Sequence, residues 1–192
     1  MIVPQKSILC KEELGEKEIE EKNKMEIEST MYKKNSHCSF CGTKFPDGFH
    51  FPFTCANCSQ ITYSNPIPVT VLLVPVEKGI LVVRRGIEPA KGQLALPGGF
   101  IETGETWQEA GVRELREEAD VSISPDSVKE FMVQSANENR LVLIFGVTRE
   151  LKKEELTPFI PNAETLERKI IYAYEELAFE LHSLALSKWF QK

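Results

Sequence analysis

The spacing of apolar residues changes at Pro66, and this change marks the start of a predicted folded domain. Beyond it, apolar runs rich in β-branched side chains alternate with short polar turns, which is the pattern of β-strands. The first two runs flank residues 77–79 and predict a hairpin. Strands are predicted at residues 69–76, 80–85, 93–96, 128–134, 141–147 and 168–174.

Two further segments predict helices, because their apolar residues recur at helical spacing. Thr106 and Glu109 form the Thr-x-x-Glu sequence of a capping box, so the first helix is expected over residues 107–119. The second is expected over residues 175–190, with its leucines toward the core: Leu177, Leu181, Leu184 and Leu186. Strands, helix, strands and helix in this order predict an α+β fold with a mixed sheet between helices.

The first predicted helix carries three carboxylates on one face. Glu114, Glu117 and Glu118 fall within an arc of roughly 100°, whereas Val112, Leu115 and Ala119 lie on the opposite side. Like charges at these spacings destabilise an isolated helix, and a bound hard cation such as Mg²⁺ reverses that effect. A solvated acidic face is the alternative interpretation in a glutamate-rich chain.

The residues around this helix favour the metal site. Gly99, Glu105 and Arg113 stand at fixed offsets before the three glutamates. The whole segment resembles the Nudix hydrolase signature G-x5-E-x7-R-E-U-x-E-E-x-G-U, where U is a bulky aliphatic residue. Asp120 replaces the second glycine, and Val121 follows as the signature requires. That position ends the helix in the left-handed region, which Asp tolerates better than most residues, so the departure removes no ligand.

The Nudix resemblance covers residues 65–192 and implies an αβα sandwich. It implies that Glu114, Glu117 and Glu118 bind Mg²⁺ or Mn²⁺, with one of them able to act as the base toward water. It also implies an ion pair between Glu105 and Arg113, which with Gly99 supports the loop against the helix. The carbonyl of Gly98 is a further expected metal ligand.

Four cysteines predict a second metal site of a different kind. Cys38 and Cys41 form one C-x2-C pair, Cys55 and Cys58 another, and this spacing is typical of a tetrahedral zinc ribbon. A closed shell of four thiolates predicts a structural zinc. Disulfides are the alternative, and the absence of a recognisable signal peptide argues against them.

Other candidate ligands near the ribbon are assigned simpler roles. His37 and His50 are expected to be surface residues, because four thiolates already complete the shell. Cys10 is expected to be a free thiol in a charged tail. The predicted organisation is therefore a tail at residues 1–35, disordered or helical, a ribbon at 36–64 and a Nudix domain at 65–192.

Charge and hydropathy argue against several classes of function. The net charge is −6, and Lys44 is the only Lys or Arg between residues 36 and 65, so the ribbon lacks the cations that track nucleic-acid phosphates. The sequence contains no run of about 18 apolar residues, so no membrane-spanning helix is predicted. The Glu-rich start argues against organelle import, and a cytoplasmic protein is expected. A homodimer is compatible with the resemblance.

The expected reaction is metal-dependent hydrolysis of the pyrophosphate bond in a nucleoside diphosphate linked to X. The ribbon makes the chain similar to NADH pyrophosphatases and plant flavin-dinucleotide pyrophosphatases. However, residues 133–139 lack the NADH signature, which contains tryptophan and prolines, while residues 161–167 and 175–179 loosely resemble the flavin-type members. FAD or ADP-ribose is therefore favoured, with NADH hydrolysis, non-catalytic nucleotide sensing and ribbon-mediated nucleic-acid binding as alternatives.

A few residues outside the signature are candidates for the site. Glu164 and Glu167 lie in a predicted loop facing the acidic helix, and Glu167 is preferred as an extra ligand or base, with a surface role as the alternative. Three arginines are candidates for binding the substrate phosphates: Arg84, Arg85 and Arg140. Three aromatic residues have two alternative roles, stacking on a base or flavin ring or packing in the core: Phe100, Phe159 and Tyr172.

Overall fold

The computed structural model describes residues 34–136 and 140–191 of the 192-residue chain. The predictions for Cys10 and for most of the tail at residues 1–35 lie outside this part, as do residues 137–139 of the segment compared with the NADH signature. The chain divides into two compact units between Ser64 and Asn65.

The first unit is a small ribbon around the cysteines. Two short antiparallel strands, β1 (Phe53–Thr54) and β2 (Ile61–Thr62), form its hairpin. Its core joins buried Cys38 and Cys55 to a group of phenylalanines whose ring centroids lie 4.7–6.1 Å apart: Phe45, Phe49, Phe51 and Phe53. Aromatic packing thus supplies the apolar interior that so small a unit otherwise lacks.

The second unit is built on a mixed seven-stranded sheet. Its strands are β3 (Ile67–Val76), β4 (Gly79–Arg85), β5 (Leu94–Ala95), β6 (Gly98–Phe100), β7 (Lys129–Ala136), β8 (Leu141–Val147) and β9 (Thr165–Ile171). The main order is β5-β4-β3-β8-β7, with β6 paired to β3 and β9 paired to β4. The pair β3 and β8 is parallel and the others are antiparallel, so the predicted mixed sheet is confirmed.

The two helices cover opposite faces of this sheet. They are α1 (Trp107–Ala119) and α2 (Glu180–Phe190). Alternate residues of β3 point to different cores: Leu72 packs with Leu115 of α1, whereas Leu73 packs with Leu186 of α2. The predicted αβα sandwich is therefore the observed architecture.

Local sequence signals define both ends of α1. Thr106 accepts a hydrogen bond from the Glu109 amide, and the Glu109 carboxylate accepts one from the Thr106 amide, which completes the predicted capping box. Asp120 ends the helix at φ 51° and ψ 43°, in the left-handed region. The predicted bounds and the predicted role of Asp120 in helix termination are both confirmed.

The last strand and the last helix differ from the prediction. β9 begins at Thr165 and ends at Ile171, because it pairs with β4 from Arg85 back to Ile80. The following segment stays at the sheet edge, where the Ala178 amide donates to the Leu94 carbonyl, and α2 starts only at Glu180. The buried face of α2 carries His182, Ser183, Ala185 and Leu186.

Among the leucines predicted to face the core, Leu184 is the exception. It is 38% exposed, because it lies between the buried positions of α2 rather than among them. Leu186 is fully buried, and Leu177 is buried in the loop before the helix. In the described residues, no helix combines the length and hydrophobicity needed to cross a membrane.

Candidate active site

The glycine strand β6 brings its backbone against α1. It pairs with β3, with Gly98 opposite Val71. A Cβ atom on Gly99 would lie 2.3 Å from Oε1 of Glu114, far inside van der Waals contact. Glycine at this position therefore allows the Glu114 carboxylate to rest directly on the strand.

Glu118 is the most buried of the three glutamates, which we call the box acids (Glu114, Glu117 and Glu118). It is 9% exposed, and its Oε2 accepts a hydrogen bond of 2.9 Å from the Gly98 amide. The pKa of Glu118 is raised to about 7, mainly by burial and in smaller part by the negative charges of Glu114 and Glu164, while the hydrogen bond from Gly98 opposes the rise. A cation bound here would favour the ionised form.

The other two box acids contact Arg113. Oε1 of Glu114 lies 2.7 Å from Nη1 of Arg113, and Oε2 of Glu117 lies 3.4 Å from the same nitrogen. Burial raises the pKa of Glu114, although Arg113 opposes the rise. Glu117 is more open, with 49% of its side chain exposed. The acids thus range from buried to open along one face of α1.

Arg113 also joins the loop to the helix. Its Nη2 and Nε bind the two carboxylate oxygens of Glu105 at 2.9 and 3.2 Å, and Nη2 donates to the Phe100 carbonyl at 3.0 Å. These bonds, together with the Glu102 amide that donates to Glu105, lower the pKa of Glu105. The ion pair fixes the loop between β6 and α1.

The box acids do not converge on a single point in this structure. Within the described residues, only the four cysteines bring three or more ligand atoms within 4.8 Å of one another. The glutamates are instead held by the partners just described, Arg113 and the Gly98 amide.

Of the two loop acids predicted to face α1, Glu164 is the one whose charge acts on Glu114 and Glu118. Its charge raises the pKa of both Glu114 and Glu118. Glu167 lies within β9, and its Oε2 forms a 2.8 Å ion pair with Nε of Arg84. β9 therefore begins three residues earlier than predicted and includes Glu167, which the prediction places just before the strand.

The candidate phosphate-binding arginines already have partners. Arg84 contacts Glu167 and donates from Nη1 to the Gly92 carbonyl. Arg85 donates to the Pro89 carbonyl and lies 5.1 Å from the centre of the Phe179 ring, yet its charge still lowers the pKa of Glu118. Arg85 is thus the one electrostatically coupled to a box acid.

The candidate aromatic residues divide into two groups. Phe100 is 60% exposed next to the glycine strand, and Tyr172 is 53% exposed after β9. Phe159 stacks beneath Arg168, with 5.5 Å between the guanidinium carbon and the ring centre. Phe100 is therefore the candidate that lies open beside the loop.

A family model for the NUDIX domain matches residues 65–191, which is more than half of the chain and contains all the acids described above. The chain belongs to the Nudix family. Enzymes of this family use divalent cations.

Similar proteins include two kinds of curated Nudix enzyme. An ADP-ribose pyrophosphatase from Methanocaldococcus jannaschii is 45% identical over 56 residues, which cover 29% of this chain and 33% of that protein. The NAD-capped RNA hydrolase NudC from Salmonella heidelberg is 27% identical over 93 residues, 48% of this chain and 36% of that protein. The matched segments span about a third of the length of these relatives.

A solved structure extends the likeness over most of the chain. The crystal structure of a NUDIX hydrolase from Nitrosomonas europaea aligns with a TM-score of 0.62 and 25% identity. The alignment covers 81% of this chain and 90% of that one. This match supports the Nudix fold.

The Nudix domain follows a four-cysteine cluster whose geometry suits zinc. Sγ of Cys38 lies 3.6 Å from Sγ of Cys58, and Cys41 and Cys55 are separated by the same distance. A tetrahedral zinc with bonds of 2.3 Å places its sulfurs about 3.8 Å apart, whereas a disulfide requires about 2 Å. The four described cysteines are free thiols, and the cluster is a possible zinc site.

Neighbouring groups shift the pKa values of the cysteine thiols in opposite directions. The side chain and amide of Thr43 lower the pKa of Cys41. The Gln60 amide favours the Cys58 thiolate, but burial and the adjacent sulfurs outweigh it and raise the pKa of Cys58. His37 and His50 are exposed, and Nδ1 of His37 binds Ser36 at 2.8 Å.

The sequence interpretation missed residues that attach a loop to the end of α1. Asn162 donates to the Glu117 carbonyl and Arg168 to the Ala119 carbonyl. An asparagine just before a strand signals a local turn, but no sequence pattern reveals its contact with a helix 45 residues away. Buried His182, which accepts from the Leu96 amide, was also missed.

Proposed function

We propose that this protein hydrolyses the pyrophosphate bond of a nucleoside diphosphate linked to X. The observation that carries the proposal is buried Glu118, hydrogen-bonded to the glycine strand and flanked by Glu114 on the same helix. Burying a carboxylate is costly without a compensating charge, and a divalent cation supplies one. Glu117 adds an open carboxylate at the edge of the same face.

The box acids suit Mg²⁺ or Mn²⁺, because hard cations prefer carboxylate oxygens. Glu114, Glu117 and Glu118 would hold the cation, with the Gly98 carbonyl as a further ligand. Such a cation neutralises the pyrophosphate and lowers the pKa of bound water. The Glu105–Arg113 pair and Gly99 keep the loop in place against the helix.

In the proposed reaction, a water oxygen bonds to one phosphorus and the P–O bond to the bridging oxygen breaks. A carboxylate takes the proton from the water, and the bridging oxygen leaves with the other phosphate. The products are a nucleoside monophosphate and phosphorylated X. Glu164 is the proposed base or additional ligand, in preference to Glu167, because Glu164 acts electrostatically on Glu114 and Glu118 whereas Glu167 pairs with Arg84.

The favoured substrates are ADP-ribose and the dinucleotide FAD. Support for ADP-ribose comes from the identity with the ADP-ribose pyrophosphatase of M. jannaschii. NADH is the second candidate, favoured by the similarity to NudC and opposed by the lack of tryptophan and proline in residues 133–139. Residues 34–64 would fold around one structural zinc held by Cys38, Cys41, Cys55 and Cys58.

The test is a hydrolysis screen over ADP-ribose, FAD, NADH, coenzyme A, diadenosine polyphosphates and nucleoside triphosphates, with Mg²⁺, Mn²⁺ or neither. We expect metal-dependent release of AMP from a dinucleotide and a loss of at least about 100-fold in Glu117→Gln and Glu118→Gln. Full activity of both variants in excess Mg²⁺ would refute the assignment of the box acids.

Two non-catalytic functions give different results in the same screen. A nucleotide sensor would bind ADP-ribose in calorimetry and release no product with any metal. A ribbon-mediated nucleic-acid protein would bind polynucleotide with an affinity that falls as salt rises. The intact box acids and the scarcity of cations in the ribbon favour the hydrolase.

A further inference from the structure

The last turn of α1 is held by side chains from a single segment of the chain. A helix leaves its final carbonyl groups without intrahelical donors. Three of these carbonyls accept side-chain hydrogen bonds: Glu117 from Asn162 at 3.1 Å, Ala119 from Arg168 at 2.7 Å, and Asp120 from Thr157 at 2.9 Å. The segment 157–168 therefore attaches to the same helix end that carries Glu117 and Glu118.

Asn162 makes bonds in two directions. Its Nδ2 donates to the Glu117 carbonyl, while its Oδ1 accepts from the amides of Glu164 at 2.9 Å and Thr165 at 2.8 Å. One side chain thus joins the backbone of a box acid to the backbone of Glu164. The amide makes both kinds of bond at once, because its donor and its acceptor are separate atoms.

The other side of Glu164 is fixed as well. Its carbonyl accepts a 2.7 Å hydrogen bond from the Gly86 amide. A Cβ on Gly86 would lie 2.4 Å from the Ala163 carbonyl oxygen, so glycine there allows the close approach. With its amide held by Asn162 and its carbonyl by Gly86, the backbone of Glu164 has a defined position relative to α1.

From these contacts we propose that Asn162 is a positioning residue that holds the backbone bearing Glu164 against the end of α1 that carries Glu117 and Glu118. The inference rests on the proposed hydrolase function, in which Glu164 is the base or an additional ligand. Asn162 itself is exposed, so water can replace its hydrogen bonds at small cost in stability. Its contribution lies in geometry, to which catalysis is far more sensitive than folding.

The side chain of Asp120 provides a further attachment to the same segment. The single hydroxyl proton of Thr157 is shared between two acceptors, the Asp120 carbonyl at 2.9 Å and Oδ2 of Asp120 at 3.0 Å. The glycine of the family signature allows the same left-handed backbone but has no side chain to make this bond. The one departure from the signature therefore adds a contact to the segment that leads to Glu164.

The test combines kinetics with a double-mutant cycle. We expect Asn162→Ala to lower kcat about tenfold with KM nearly unchanged, and to shift Tm by less than about 4 °C. In a Glu164→Gln background the same change should lower kcat less than twofold, because the residue through which Asn162 acts is already disabled. The proposal would be overturned if Asn162→Ala lowered kcat by the same factor in both backgrounds, or if Asn162→Ala alone kept the wild-type kcat.

Amide exchange gives a readout that does not depend on turnover. In metal-free protein, Asn162→Ala should accelerate exchange at the Glu164 and Thr165 amides, measured by NMR. Asn162→Asp is the matched variant: it keeps the acceptor and so the protection, but loses the donor to Glu117 and should lose kcat as the alanine variant does. Unchanged exchange in Asn162→Ala would overturn the proposal.

The two proposals fail in distinguishable ways. If the wild-type protein hydrolyses none of the substrates, the proposed function fails, and the exchange experiment still decides whether Asn162 orders the backbone of Glu164. If the wild type is active and the cycle is additive, only the positioning role fails.

Discussion

The backbone amide of Leu96 donates a hydrogen bond of 3.2 Å to Nδ1 of His182 in the interior of the Nudix domain. His182 is 7% exposed and packs against the edges of Phe145 and Phe179. Because Nδ1 accepts, the ring is neutral and its proton lies on Nε2. The bond fixes the chain two residues before Gly98, where the glycine strand begins.

This bond predicts a loss of stability in mild acid. Burial lowers the pKa of His182 to about 3, and the charge of Arg85 adds to the effect. A histidine in the unfolded chain has a pKa of about 6.5, so the unfolded state takes up the proton first and stability falls as the pH falls below that value. The contribution is fully present above about pH 6.5.

Urea unfolding at a series of pH values checks this prediction. Between pH 6.5 and 4.5, the free energy of unfolding should fall by about 2 kcal/mol more in the wild type than in His182→Asn. Asparagine retains an acceptor for the Leu96 amide and does not titrate. Most carboxylates titrate below this window, so the difference isolates the histidine. Identical slopes in the two proteins would contradict the assignment.

The buried carboxylate of Glu118 predicts opposite effects on stability and activity. Glu118→Gln removes a desolvated charge while its amide oxygen can still accept from Gly98, so metal-free Tm at pH 8 should rise by a few degrees. Hydrolysis should fall at least about 100-fold. Addition of Mn²⁺ should raise Tm in the wild type and less in the variant, as followed by calorimetry.

The two loop acids are distinguished by a matched pair of variants. Glu164→Gln should lower kcat by about 10- to 1,000-fold, since it removes the acid that acts on Glu114 and Glu118. Glu167→Gln, the same change three residues away, weakens a half-exposed ion pair with Arg84 and should lower kcat much less. Steady-state kinetics with ADP-ribose compare them, and a larger effect at Glu167 would restore the original assignment.

The cysteine cluster predicts one zinc per chain in protein purified without chelator. Cys55→Ser should reduce zinc content and disrupt the packing of residues 34–64, because the ligand shell and the phenylalanine core share Cys55. His37→Ala should leave zinc content unchanged. Metal analysis and near-ultraviolet circular dichroism measure both outcomes, and intact structure without zinc would contradict the assignment.

Prediction from sequence succeeded where the determinants are local. Thr106, Glu109 and Asp120 specify the two ends of α1 through bonds within a few residues, and the bounds of this helix agree with the structure. Leu177, by contrast, lies at helical spacing from the later leucines but is not helical. Its segment is held at the sheet edge by the hydrogen bond from the Ala178 amide to the Leu94 carbonyl. That tertiary bond explains why α2 begins five residues later than predicted.

The position of the loop acids depends on tertiary pairing in the same way. β9 extends to Thr165 because β4 provides hydrogen-bond partners as far as Arg85, and this extension carries Glu167 into the sheet opposite Arg84. Glu164 is left as the last residue of the loop. Strand register depends on the neighbouring strand, so a single segment of sequence does not determine which acid faces α1.

The left-handed backbone at Asp120 also affects how distant members of this family are recognised. Glycine and aspartate codons differ by a single base, and both residues, like asparagine, accept the dihedral angles found at this position. A mutational path between them therefore keeps the helix end intact at every step. Search patterns that require glycine there would pass over enzymes with complete sets of acids, whereas patterns that accept the three residues would retain them.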